Sequence, residues 1–236
     1  MPVLTIHKPI GETPLETIRK LNMSCRISYA GRLDPMAEGQ LIILTGADCQ
    51  HQNEYHNLDK IYRFELLLGL TTDSYDTLGL VKNVAVTTPC ILEYVGEHIQ
   101  PYPPFSSARV NGKPLWYYAQ NNLMDSIRNA IPSKTIKIYS SKILRQSRIS
   151  KEVLVARIHA NIDKISANYN FRQAAIKEQW TTITDRDYPV IEIEMAVSAG
   201  TYIRGICHEM GGMALSINRL ECRQVARPLG RQVAIP

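Results

Sequence analysis

Apolar and polar positions alternate along this chain in stretches that predict strands and helices in mixed order. Val3 to Lys8 alternates weakly and predicts a strand. Thr13-Pro14-Leu15-Glu16 is a capping box with proline at the first helical position, so a helix should run to about Asn22. The run Leu41-Ile42-Ile43-Leu44 predicts a buried strand. Residues 60–70, through Ile61-Tyr62-Arg63-Phe64-Glu65-Leu66-Leu67-Leu68, predict a strand with one buried face, and Thr72 to Gly79 a polar loop. Pro89 should open a helix ending near His98. Pro101-Tyr102-Pro103-Pro104 is stiff and extended. A helix should follow from Pro114 to about Asn122, with Leu115, Trp116, Tyr118 and Ala119. Lys134 to Leu144 and Val190 to Val197 alternate as strands. In the second, Ile191, Ile193, Met195 and Val197 share one face, and Glu192 and Glu194 the other. Tyr202 to Leu215 has helical spacing, which Gly211-Gly212 weakens near its end.

With 236 residues, 44% of them hydrophobic, the chain can bury a full core as one domain, residues 1–236. No apolar run approaches the ~20 residues of a membrane span. The start, Met1-Pro2-Val3-Leu4-Thr5-Ile6, lacks the regions of a signal peptide. Cys25, Cys49, Cys90, Cys207 and Cys222 are odd in number and scattered, so neither a disulfide framework nor a zinc site is suggested. A cytoplasmic protein with reduced thiols is expected. The net charge of +5 favours an anionic partner. From Lys134 through Lys137, Lys142, Arg145 and Arg148 to Lys151 there is no acid, and Arg219, Arg223, Arg227 and Arg231 face only Glu221. Such tracts suit phosphate contacts or form a solvated face.

Asp34 stands on a turn between Gly31 and Gly39, ahead of the apolar run at Leu41. The glycines let the backbone bend closely around a ligand, and Pro35 fixes the turn. An acid on a rigid turn before a core strand can mount a nucleophile, although many Asp-Pro turns are only turns. Asp76-Thr77-Leu78-Gly79 matches a nucleotide-site Asp-x-x-Gly, but no Gly-rich Lys-Ser/Thr loop accompanies it, which argues against a GTPase.

Gly31-Arg32-Leu33-Asp34-Pro35-Met36-Ala37-Glu38-Gly39 resembles the catalytic motif of the TruB family of tRNA pseudouridine synthases. Further words follow in the family's order. His7-Lys8-Pro9-Ile10-Gly11 resembles its Lys-Pro-x-Gly element, and Lys60-Ile61-Tyr62-Arg63 its catalytic-tyrosine segment. Leu68-Gly69-x-x-Thr72-Asp73-x-x-Asp76-x-x-Gly79 comes next, then Pro103-Pro104-Phe105-Ser106-Ser107-Ala108-Arg109-Val110-Asn111-Gly112. Ser198-Ala199-Gly200-Thr201-Tyr202-Ile203-Arg204 resembles the Gly-Thr-Tyr-Ile-Arg element. Together these words cover most of residues 3–145 and 189–227.

The resemblance implies an α+β fold, the pseudouridine synthase fold, with a central, largely antiparallel mixed sheet flanked by helices and loops. Residues from about 147 to 188 match no family element. Helical spacing from Asn161 to Trp180, through Ile162, Ile165, Tyr169 and Ala175-Ile176, predicts an inserted helical segment. Its Lys164, Arg172 and Lys177 are expected to touch phosphate. The chain stops at Pro236, where many relatives carry a PUA RNA-binding domain, and none is expected.

By the same resemblance the expected reaction is isomerisation of a uridine to pseudouridine, at the T-loop uridine 55 in the T-arm of tRNA. The base must leave its stack to be reached. The reaction is redox-neutral, so no cofactor and no metal are expected; neither is a membrane, and the enzyme should be a monomer. Asp34, Tyr62 and Arg204 take the catalytic roles: the carboxylate at the sugar, the ring beneath the flipped uracil, and the cation holding Asp34, drawn as a bidentate pair. Tyr29, Tyr202, Leu220, Arg109 and Lys8 are the expected substrate contacts, with Ile203 beside Leu220 as a further wall of the uracil pocket.

The sequence departs from the family at several places. Tyr29 replaces the histidine expected to push into the RNA loop, and its ring should fill the place of the extruded base. Arg32 replaces a small residue, as in the related RluA and RsuA synthases; Ser106 replaces a tyrosine; one residue is missing before Arg109; Glu221 and Cys222 stand for arginines. These changes keep two alternatives in view: a related synthase acting on another RNA, and a non-catalytic RNA-binding or RNA-folding protein on the same fold.

Overall fold

The structure is a computed structural model that describes residues 4–83 and 94–223. β1 (Leu4–Lys8) leads to α1 (Pro14–Arg19). The helix starts on its capping box: the Glu16 N–H donates to the Thr13 hydroxyl at 3.3 Å, and the Thr13 N–H to the Glu16 carboxylate at 2.8 Å. It ends at Arg19, short of Asn22, which takes a left-handed φ of +50°. β2 (Ile27–Ala30) and β3 (Ala37–Thr45) flank the Asp34 turn, and residues 41–45 of β3 are all buried. After α2 (Gln52–His56) come β4 (Asp59–Leu68), β5 (Leu70–Thr72), β6 (Val81–Asn83) and β7 (Gly96–Pro101). The short β8 (Arg109–Val110) and β9 (Lys113–Pro114) precede α3 (Leu115–Gln120). The long β10 (Ser133–Ile149) is followed by α4 (Lys151–Ile162), α5 (Gln173–Thr181), β11 (Tyr188–Val197), α6 (Ile203–Glu209) and β12 (Gly212–Arg223).

Among the described residues one large sheet has the order β1-β3-β12-β4-β11-β10-β7, with β2 also on β3. Its pairings are antiparallel except that of β3 with β12, which is parallel over Ile217↔Ala37 to Arg219↔Gly39. The mixed, largely antiparallel α+β architecture expected from the sequence is therefore present. Ile193, Met195 and Val197 pack on one face with Phe64, Leu66 and Ile206 of α6. Leu67, Val190, Met213 and Leu215 face the other way, against Leu154, Ile158, Ile176 and Trp180 of α4 and α5. Those four helix residues are fully buried. At roughly 2 kcal/mol each, burial on the sheet holds these short helices more firmly than helix propensity could.

Three expectations are corrected. His98 lies in β7, opposite Ile136 of β10, and not in a helix; Gly96–Gln100 alternates in exposure at period two. Pro89, which was to open that helix, lies outside the described residues. The helix from Tyr202 stops at Glu209, and Leu215 belongs to β12. A Cβ on Gly212 would sit 2.2 Å from the Leu67 carbonyl oxygen, so glycine is what lets β12 close on β4. The segment expected to be an inserted helical element is two helices, α4 and α5, parted by a turn in which Arg172 takes φ +66°.

Candidate active site

The Asp34 turn is closed by the Ala37 N–H donating to the Asp34 carbonyl at 3.0 Å, and braced by the Gly11 N–H donating to the Pro35 carbonyl at 2.8 Å. Gly39, at φ +113°, lies where β3 meets β12; a Cβ there would stand 2.3 Å from the Arg219 carbonyl oxygen. A Cβ on Gly31, at φ +75°, would stand 3.2 Å from the Arg219 guanidinium. Both glycines thus make room for the protein's own Arg219, and Gly31 also lines the cavity described below. Arg219 is 1% exposed. It donates to the carbonyls of Gln40 at 2.7 Å, Arg32 at 3.2 Å and Gly31 at 3.0 Å, clamping the loop on both sides of Asp34. Sequence reasoning put Arg219 in a phosphate-facing tract. The signal it missed is that Arg219 shares the buried face of β12 with Ile217.

Arg204 reaches the turn from the start of α6. Its Nε donates to Asp34 Oδ2 at 2.7 Å, its Nη1 to the Ser74 carbonyl at 2.6 Å, and its Nη2 to the Phe105 carbonyl at 3.3 Å. The contact with Asp34 is therefore single and not the bidentate fork expected, because two backbone carbonyls hold the other arms. The same Nε stands 3.6 Å from Asp76 Oδ2. Asp76 is buried and accepts from the Ser74 hydroxyl at 2.7 Å and the Leu78 N–H at 3.0 Å. One cation thus serves two carboxylates and gives its short bond to Asp34. Burial pushes the Asp76 carboxyl above its ordinary value against the pull of Arg204, and the Asp34 charge adds to the rise. Burial also works against the Arg204 charge, but Asp34 and Asp76 outweigh it and the guanidinium stays charged.

A cavity of about 490 Å³ opens over this pair. Asp34, Lys60, Tyr62, Tyr202, Ile203 and Ile217 are among its walls. Tyr62, on β4, is nearly buried, and burial raises its phenol above the ordinary value although Arg219 opposes this. Burial, helped by the Asp34 charge, pushes Tyr202 up to about 12. Burial pulls the Lys60 ammonium down to about 8, and its Nζ donates to the carbonyls of His56 and Leu58. Among the described residues no group of three or more His, Cys, Asp or Glu converges as a metal site would, and no helix is long and apolar enough to cross a membrane.

The model of the TruB family pseudouridylate synthases (N terminal domain) matches residues 19–169, from α1 into the insertion. The chain belongs to the TruB family. It is similar to tRNA pseudouridine synthase B of Chlamydia abortus, 32% identical over 222 residues, covering 89% of this chain and 75% of that protein. To tRNA pseudouridine synthase B of Blochmanniella floridana it is 28% identical over 221 residues, covering 89% and 69%. The fold is shared with a chain of a Cbf5-Nop10-Gar1 complex at TM-score 0.52 and 17% identity, covering 93% of this chain and 48% of that one. It is shared likewise with a chain of an H/ACA ribonucleoprotein bound to a substrate RNA containing 2′-deoxyuridine, at TM-score 0.50 and 18% identity, covering 93% and 47%. This TruB chain thus spans about half the length of those two solved chains.

Of the residues singled out in the TruB words, Asp34, Tyr62, Tyr202, Ile203 and Arg204 meet at the cavity. Arg32, Lys60 and Ser106 line it as well, whereas the remaining expected substrate contacts are not among its walls. Lys8 is buried behind the loop, donating to the carbonyls of Ala37 at 2.6 Å and Pro9 at 2.9 Å, and burial pulls its ammonium down to about 8 against the Asp34 charge. Tyr29 is half-buried against the Ile18, Leu41 and Ile43 cluster and is not on the cavity wall. Leu220 is 37% exposed, and the β12 wall is Ile217 and Arg219 instead. Arg109 is exposed and donates to the Gly112 carbonyl at 2.7 Å. The insertion's cations are engaged within the protein: Lys164 with Asn161 at 2.9 Å, Lys177 with Asp163 at 2.7 Å, and Arg172 with Asp73 at 2.7 and 3.2 Å. The exposed Lys137, Lys142, Arg145 and Arg148 lie along β10. Asp76, the second carboxylate on Arg204, was seen in a TruB word and in a discounted nucleotide-site match, but not as a partner of Arg204.

Proposed function

We propose that this TruB-family chain converts a uridine of tRNA, the T-loop uridine 55, to pseudouridine, with Asp34 as the carboxylate that meets the ribose. The observation that carries this reading is the Asp34 carboxylate, held from one side by Arg204 Nε at 2.7 Å and open on the other to a cavity walled by Tyr62. Its side chain is 36% exposed, so one oxygen is fixed while the carboxylate remains accessible. In the reaction the bond from ribose C1′ to uracil N1 breaks, the base turns, and C1′ bonds to C5. The C5 proton leaves and N1 gains one, so nothing is oxidised. Asp34 either attacks C1′ or serves an elimination intermediate. Tyr62 gives the uracil a flat apolar platform, and Tyr202, kept neutral by burial, closes a side.

A tRNA substrate is supported by the relatives, which are named tRNA pseudouridine synthase B. The exposed cations of β10, and Arg109 at the hairpin, supply charge for RNA phosphates. A tRNA substrate supports a cytoplasmic location. The test uses a T-arm stem-loop RNA with tritium at C5 of the target uridine. The natural chain should release the label. Asp34→Asn should lower release at least a thousandfold and leave RNA affinity within a few-fold. Substantial release by Asp34→Asn would sink the assignment, and release only from another RNA would move the chain to a different substrate.

A further inference from the structure

A second cavity of about 530 Å³ lies beside the catalytic one. Asp34, Phe105, Trp116 and Arg204 border both. Its far side is made by the turn between α4 and α5, in the segment that the TruB words do not cover. There Tyr169 and Phe171 stack with ring centroids 5.4 Å apart and planes inclined by 6°. Arg172 fixes this turn to the loop beside the active site through its two bonds to Asp73, and lies 4.8 Å from the Phe105 ring. To this space the turn presents the Tyr169 and Phe171 rings together with Arg172, whose charge is paired with Asp73.

We propose that the second cavity is a stacking site for the unpaired nucleobase adjacent to the target uridine. This rests on the reading of the chain as an RNA-modifying enzyme. A strand that presents one ribose to Asp34 must carry its neighbouring base past the shared wall of Phe105 and Trp116. An unpaired base is recognised chiefly by stacking on aromatic faces, and an arginine beside a ring adds to such a surface. Continuity with the catalytic cavity selects a base of the same RNA over a separate ligand. The insertion thereby serves as more than cover for the sheet: its helices bury the apolar face while the turn between them completes a subsite.

The test is a thermodynamic cycle on the full chain and a T-arm stem-loop RNA. One change is Tyr169→Ala with Phe171→Ala; the other is an abasic nucleotide placed 5′ or 3′ of the target uridine. Each alone should weaken binding roughly five- to a hundredfold. At one of the two flanking positions, both together should weaken it no more than either alone. Tyr169→Phe should retain the natural affinity. In a second measurement on the unaltered chain, 2-aminopurine at that flanking position should lose fluorescence on binding as it stacks. Additive losses at both positions, or unchanged fluorescence at both, would overturn the proposal. If coupling is found but no label is released from C5, the stacking site stands and the modification reading fails. If label is released and coupling is absent, the reverse holds.

Discussion

Replacing Arg204 by lysine separates the charge at this position from its geometry. A lysine Nζ falls where the guanidinium carbon now lies, and a methylene takes the place of Nε. The atom that donates to Asp34 at 2.7 Å is therefore lost although the charge remains. The bonds to the Ser74 and Phe105 carbonyls cannot both be kept by one ammonium. A charged hydrogen bond of this kind is worth about 1.5–3 kcal/mol, so the melting temperature should fall by roughly 5–10 °C. Without its brace the reacting carboxylate shifts, and displacement by about 1 Å costs on the order of a hundredfold in rate. Arg204→Met should be worse for stability, by about 3–5 kcal/mol, because it leaves buried Asp76 without a countercharge. Asp76→Asn in that background should recover part of the loss by removing the unpaired charge. Tritium release under single-turnover conditions gives the rate, and thermal unfolding gives the stability. Arg204→Lys turning over within threefold of the natural chain, at an unchanged melting temperature, would refute the reasoning.

Gly39→Ala should cost more than about 3 kcal/mol in a denaturant titration, since its Cβ would meet strand backbone at 2.3 Å and φ +113° is strained for alanine; a loss under 1 kcal/mol would show that β3 and β12 can part there. Tyr29→Ala should lower stability by roughly 1–3 kcal/mol, yet leave turnover per folded molecule nearly unchanged, because the ring packs on Ile18, Leu41 and Ile43; a tenfold fall in single-turnover rate with intact stability would return Tyr29 to the RNA. Burial lowers Lys8 to about 8, while an unfolded lysine titrates near ~10.4. Between those values the unfolded chain holds the proton and the folded chain has released it, so this group makes stability rise with pH. Urea unfolding of Lys8→Met between pH 8 and 9.5 should show that rise reduced by about 1–2 kcal/mol, and an identical slope would contradict the burial argument.

Elements whose determinants lie within a few residues were legible. The Thr13–Glu16 capping box closes on itself, the run at Leu41 is a buried strand, and the period-two pattern of β11 sorts its isoleucines from its glutamates. Boundaries failed where a contact from far along the chain decided them. β12 begins at Gly212 because β4 lies against it, and the stretch around His98 is extended because β10 offers its edge. The candidate site was legible at Asp34, Tyr62 and Arg204 through the TruB words. Arg219 was misread and Asp76 was given no role, since neither carries a local mark of burial.

The sequence by itself determined that a carboxylate would stand on a proline-fixed turn before a core strand, and that the surrounding words belong to the TruB family. Their chemistry resides in residue type and spacing, which survive without coordinates. Only the tertiary structure decided what each charged side chain is for. Arg204 meets Asp34 across 170 residues, and Arg219 meets Gly31 across 188. Which arginine becomes an internal clamp and which faces solvent depends on strand register, because one step along a strand exchanges the two faces of the sheet. For the same reason Tyr29 packs half-buried on a core cluster and Leu220 lies outside the cavity, while the aromatic turn between α4 and α5 comes to lie beside Asp34.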